Sequence, residues 1–201
     1  MRPQPESSTQ DKYLPDSDVR EYHDLVVPGP VDRAFATLRK VDFSRSRLVR
    51  TIFGIRTLPS FFRHQPWGTP KGPFVEQALG MGWVLLEETP TELVAGAVTQ
   101  PWAGKVKFTG LPPEDFRAFA EPGFVKITWS FSARQEGPDT SRLITETRAQ
   151  ATDATSRARF LRYWFFVSPG IRLIRRVALR IAKRDLESAK WLKPDYAVSN
   201  S

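Results

Sequence analysis

The chain contains no cysteine and only two histidines. Without cysteine there are no disulfides, thiolate nucleophiles or thiolate-held metals, and the absence fits a cytoplasmic protein. The two histidines, His23 and His64, show neither His-x-His nor His-Glu-x-x-His spacing, so no zinc site is expected. Gly80-Met81-Gly82 lacks the further glycines of a phosphate cradle and reads as a hairpin turn. With no Gly-x-Ser-x-Gly elbow either, covalent catalysis has no candidate, and no cofactor is expected. No apolar run approaches the ~20 residues of a membrane-spanning helix, and the first ten residues hold no apolar segment of signal-peptide type. No internal repeat or domain linker divides the 201 residues, 40% of them hydrophobic, which suffice for one sizeable core and are short for two domains.

What the chain does have is aromatics and a lopsided charge. Six Trp and fourteen Phe bury a large area if they are inside. Residues 1–155 hold 19 Lys/Arg and 19 Asp/Glu, whereas residues 156–201 hold 11 against 3, so the whole excess of +8 lies in the last stretch. A solvated helix face is the first reading of such a run. Attraction to an anionic membrane surface is the functional alternative, through Arg172, Arg176, Arg180, Lys183 and Arg184. Nucleic acid is a less favoured partner, and oligomeric state is not legible.

That stretch, Thr155 to Trp191, organises the rest. Phe160, Trp164, Val167, Ile171, Ile174, Ala178 and Ile181 share one face of a helical wheel, the stripe of a helix laid on a core. Asp153 or Ser156 caps its start. At ~1.5 Å per residue the helix would run to about 50 Å. A break is therefore expected at Pro169-Gly170, with Ser168 capping a second segment.

Upstream, residues 1–17 read as a disordered lead-in, 18–193 as a single domain and 194–201 as a tail. Val19 to Val27 alternates as a first strand, and two short helices follow, over Val31 to Val41 and around Leu48 to Phe53. Leu58 to Pro73 is a connector. Strands are then expected over Phe74–Leu79, Trp83–Glu88, Glu92–Gln100, Lys105–Thr109, Phe124–Ala133 and Arg142–Thr152, with a helical turn over Pro112–Ala120.

The element order, together with the runs Gly123-Phe-Val-Lys-Ile-Thr-Trp-Ser-Phe, Leu143-Ile-Thr-Glu-Thr-Arg and Phe160-Leu-Arg-Tyr-Trp, resembles the START-like or helix-grip (SRPBCC) superfamily. The polyketide cyclase/dehydrase-like group looks similar in these places. The resemblance implies an α+β helix-grip fold, in which a curved antiparallel sheet wraps a long C-terminal helix and leaves an apolar cavity between them. Many members bind a hydrophobic molecule there, and some catalyse cyclisation or hydrolysis.

The residues themselves give a sparse site. Large aromatics (Trp83, Trp129, Phe131, Phe160, Trp164) beside small residues such as Ala95 and Ala97 suit an irregular apolar pocket. Thr145 and Thr147 leave space beneath the helix. Glu146 and Arg148 then fall on the outer face, beside charges such as Lys126; with the opposite parity they become a polar pair in the cavity. His23 shares its strand face with Val19, Leu25 and Val27 and is read first as a hydrogen-bonded core histidine, with a role as acid or base as the alternative. His64 reads as a loop histidine. Three functions follow: binding of a hydrophobic small molecule or lipid, a cyclase-type enzyme, and a peripheral membrane or partner-binding protein.

Overall fold

Apolar and polar side chains alternate along residues 125–133, and residues 140–151 run antiparallel beside them; both segments bury side chains on either face and belong to the two longest strands. A computed structural model describes residues 8–43, 72–103 and 106–191. In chain order its strands are β1 (Val19–Pro28), β2 (Val84–Glu88), β3 (Glu92–Thr99), β4 (Phe108–Thr109), β5 (Val125–Gly137) and β6 (Thr140–Ala151). Its α-helices are α1 (Val31–Arg39), α2 (Phe74–Gly80), α3 (Pro113–Ala118) and α4 (Ala154–Trp191). The six strands form one curved antiparallel sheet in the order β1-β6-β5-β3-β2, with β4 added beside β3. The fold is thus α+β, with a long C-terminal helix.

Helices α4 and α1 pack on one face. The odd-numbered residues of the central strands, among them Leu93, Ala95, Trp129, Phe131 and Leu143, join Phe35, Leu38, Ala178 and Leu186 there in the main core. The even-numbered residues face the other way. Val94 and Val98 meet Phe116 of α3 and Tyr13 in a second, smaller cluster. Gly96 makes this close approach possible, because a Cβ there would stand 2.6 Å from Leu86 Cδ1 and 3.1 Å from the Phe116 ring.

Several expectations change. Phe74–Leu79 forms α2 rather than a strand. Six residues are too few to separate the two by periodicity, and here Val75 and Ala78, one helical turn apart, are the buried pair. Gly80-Met81-Gly82 accordingly ends a helix instead of turning a hairpin. Helix α4 does not restart at Pro169: it runs unbroken through the proline, and Ser168 lies buried within it. Proline costs such a helix one hydrogen bond and a ring clash, roughly 3 kcal/mol. Burial of Phe160 on one side and of Ala178, Leu179, Ala182 and Leu186 on the other offsets that cost. Residues 8–17, expected as part of a disordered lead-in, form a 3-10 turn (Thr9–Lys12) with a Ser8–Asp11 capping box, and bury Gln10, Tyr13 and Leu14 against the sheet. The second short helix expected near Leu48 and the loop histidine His64 lie outside the described residues. No helix among the described residues is long and apolar enough to cross a membrane.

Candidate functional site

Strands β1, β6 and β5 are neighbours, so their odd-numbered residues line up in cross-strand rows beneath α4. One row sets Glu21 opposite Thr147 and Thr147 opposite Trp129. The next sets His23 opposite Thr145 and Thr145 opposite Phe131. The strand parity therefore places His23, Thr145 and Thr147 on the helix side. β-Branched threonines suit the pleat and carry hydroxyls into a layer that also holds Trp129 and Phe131.

From above, α4 lowers two arginines onto these rows. Arg172 reaches the Glu21 carboxylate at 2.6 Å. Arg175, one turn further on, donates a hydrogen bond to Thr145 Oγ1. No carboxylate among the described residues pairs with Arg175. The residue as a whole retains some exposure, while its Nε is closed off from solvent. Loss of hydration pushes the guanidinium down to about 10, and the fields of Glu21 and Glu146 offset this only in part. At neutral pH it is still a cation.

Four polar atoms of this region are buried with no hydrogen-bond partner among the described residues: His23 Nε2, Trp129 Nε1 and Thr147 Oγ1 in the two strand rows, and Arg175 Nε on the helix above. An unmade bond to a buried group costs on the order of 1–3 kcal/mol, so these four groups stand to gain from a partner that the described residues do not supply. His23 titrates below its ordinary value, chiefly through burial and then through repulsion from Arg175 and Arg176. Its imidazole is thus neutral near pH 7, with one nitrogen donating and the other accepting. The set is rich in donors and holds one unbalanced positive charge, which is the complement of a carboxylate or similar anion. Among the described residues no group of three His, Asp or Glu could hold a metal.

Aromatic rings supply an apolar surround. Trp129 lies 5.1 Å from Phe74, 5.3 Å from Phe131 and 6.2 Å from Trp83, ring centre to ring centre. Ala95 sits opposite Trp129 on β3, and Ala97 opposite Ile127 one row further along. Phe160 and Trp164, 5.7 Å apart, belong to a separate small cluster with Val125 and Ala149. The structure thus groups Trp83, Ala95, Trp129 and Phe131 with the two threonines, and sets Phe160 and Trp164 to one side.

Arg175 is the residue that sequence reasoning missed. It is four residues after Ile171 and three before Ala178, so it stands on the apolar stripe of the wheel. A basic residue inside that stripe was the available signal. Of the basic residues singled out instead, Arg172 is tied to Glu21, and Lys183 lies 3.9 Å from Glu187. Arg176, Arg180 and Arg184 are exposed. Between these arginines Val177 is buried in the main core and Leu173 packs against it.

Glu146 and Arg148 lie on the far side of the sheet, yet buried rather than solvated. Arg148 Nε bonds Glu146 Oε1 at 2.6 Å, Arg148 Nη1 bonds Asp11 Oδ1 at 2.5 Å, and Arg20 closes on Glu146 at 2.5 Å. Residues 8–14 cover them. The expected pairing with Lys126 does not form: Lys126 stands opposite Gln150 and donates to the Arg117 carbonyl at 2.9 Å.

No family model matches the chain, and neither does any curated protein. Solved structures show distant likeness. A hypothetical protein of Helicobacter pylori aligns over 92% of this chain and 99% of its own at 10% identity and a TM-score of 0.42. A protein of Thermus thermophilus aligns over 85% and 99% at 8% identity and 0.32. A conserved protein from Geobacillus kaustophilus aligns over 85% and 97% at 11% identity and 0.34. At such values these chains lend nothing to the reading of the site.

Proposed function

We propose that this is a helix-grip binding protein that holds a small amphipathic molecule between the sheet and α4, with an acidic head on Arg175 and an apolar body against Trp129 and its neighbours. One observation carries this reading: a cation whose hydrogen bond among the described residues goes to a neutral hydroxyl lies over two strand rows that hold three further buried polar atoms without partners among those residues. An isolated buried charge is costly, and the protein gains most from a ligand that brings the missing anion. Ordered water can occupy the same positions in the free protein. A carboxylate displaces that water and adds the charge that water lacks.

Titration with dodecanoate and with dodecanol, followed through tryptophan fluorescence, tests the reading. The two probes share a chain and differ in the head. Charge-assisted hydrogen bonds contribute about 1.5–3 kcal/mol, so dodecanoate is expected to bind roughly 10- to 100-fold more tightly. Equal affinities, or no binding of either, would overturn the proposal.

His23 favours a second reading. A neutral imidazole with an enclosed, unpartnered Nε2 beside the anion site could move a proton to or from a bound carbonyl compound, as a cyclase-type enzyme requires. Turnover of an aromatic polyketide that His23→Ala abolishes, with affinity held within about tenfold, would establish it.

A further inference from the structure

We infer that the outer face of the first half of α4 docks on anionic phospholipid bilayers. Phe165 and Phe166 are adjacent in sequence and left 75% and 79% exposed, with Leu161 at 39% beside them. Their rings meet edge to face, 5.4 Å between centres. On the wheel they flank a ridge opposite Phe160 that carries Arg162, Pro169, Arg176 and Arg180, all of them exposed. From Ala154 to Arg184 the helix has nine basic residues and no acidic one.

Three of these cations are paired with carboxylates, Arg157 with Asp18, Arg172 with Glu21 and Lys183 with Glu187. No carboxylate among the described residues pairs with Arg159, Arg162, Arg176, Arg180 or Arg184. Large apolar groups left in water among uncompensated arginines are what an interfacial helix presents, with rings entering the acyl boundary and guanidinium groups meeting phosphates. A second copy of the chain is a poor occupant, because a two-fold contact would set this basic ridge against itself. A nucleic-acid backbone would meet the arginines and leave Leu161 and the phenylalanines unused. The inference does not depend on the ligand proposal, since none of these residues is hydrogen-bonded or ion-paired to Arg175 or His23.

The test is co-sedimentation of the full chain with vesicles of phosphatidylcholine and phosphatidylserine, against vesicles of phosphatidylcholine alone, at low and high salt. Binding is expected to favour the anionic vesicles by at least ~10-fold and to fall with salt, because several basic side chains meet the charged surface together. Phe165→Ser with Phe166→Ser should lower it a further ~10-fold or more with helicity unchanged, because both rings are on the surface. Arg162→Glu with Arg176→Glu should remove the salt-sensitive part. Failure to sediment with anionic vesicles at low salt would overturn the inference. So would a double serine variant that binds like the parent, since the surface would then be an electrostatic one suited to any acidic polymer.

Discussion

Strand β6 carries polar residues on both faces, and the two faces treat them in opposite ways. On the outer face Glu146 and Arg148 are almost fully buried, but each charge has its counterpart: Arg148 is held between Glu146 and Asp11, and Glu146 between Arg148 and Arg20. Burial pulls the Arg148 guanidinium down, and the bonds to Glu146 and Asp11 more than restore it, so its affinity for the proton ends above the ordinary value. On the helix face, one residue away, Thr145 meets Arg175, where burial is only partly offset and the guanidinium ends below its ordinary value. Both faces leave polar atoms over, Gln10 Oε1 and Arg148 Nη2 outside and four inside. Only the inner set includes a cation that no carboxylate among the described residues balances. A network that is closed within the chain serves the fold, and one that lacks its anion is suited to a ligand.

The largest expected effect is on the apolar wall beside the inner set. Trp129, 2% exposed and in contact with three aromatic rings, should cost ~3–5 kcal/mol when replaced by alanine, read from chemical denaturation. An unchanged midpoint would remove it from the core. On the outer face, Arg148→Met should cost about 3 kcal/mol, at the low end for breaking a buried pair because Arg20 remains on Glu146. A neutral effect would mean that the two faces do not differ as described.

A sharper contrast uses one substitution twice. Thr128 Oγ1 accepts from the buried Gln10 Nε2 at 3.2 Å on the outer face. Thr128→Val strands that amide and should cost about 1–2 kcal/mol. Thr147→Val removes a hydroxyl that has no partner and should change stability by less than about 0.5 kcal/mol while weakening dodecanoate binding. Equal costs at the two positions would break the comparison.

The smallest effect is a pH dependence confined to the inner face. His23, faced by Glu21, Arg172, Arg175 and Arg176, titrates below its value of 6.5 in the unfolded chain. Between the two values the unfolded chain holds more protons, so stability is full above 6.5 and declines as pH falls below it. The slope attributable to one such group is at most ~1.4 kcal/mol per pH unit. His23→Gln should flatten the difference between pH 7 and pH 5 in the melting curve. A wild-type curve already flat in that window would contradict the assigned environment.

Much of this architecture was readable in advance. The 2-residue period of residues 125–133 and 143–151 placed Trp129, Phe131, Thr145 and Thr147 on one face and Glu146 and Arg148 on the other, because parity follows directly from the pleat. What failed has a physical reason in each case. Phe74–Leu79 is too short for its period to separate strand from helix. The proline rule predicts a break in an isolated helix, whereas packing on both sides of Pro169 carries α4 through. The polar residues 8–17 gave no periodic signal, since their order comes from long-range partners, with Gln10 reaching Thr128 and Asp11 reaching Arg148. Arg175 is hard to tell from its neighbours because basic residues recur along most of α4, and only its place between Ile171 and Ala178 on the apolar stripe sets it apart.

Arg175→Met tests the central claim most directly, measured as the denaturation midpoint and the dodecanoate affinity of the same variant. Methionine fills a similar volume without the charge. If Arg175 waits for an anion, its removal relieves an uncompensated buried cation, so stability should stay level or rise, as replacement of buried charges by apolar groups often brings. Dodecanoate binding should fall ~10-fold or more, to the level of dodecanol. A variant that loses several kcal/mol of stability and still binds dodecanoate like the parent would show that Arg175 holds the fold together and is not the anion site.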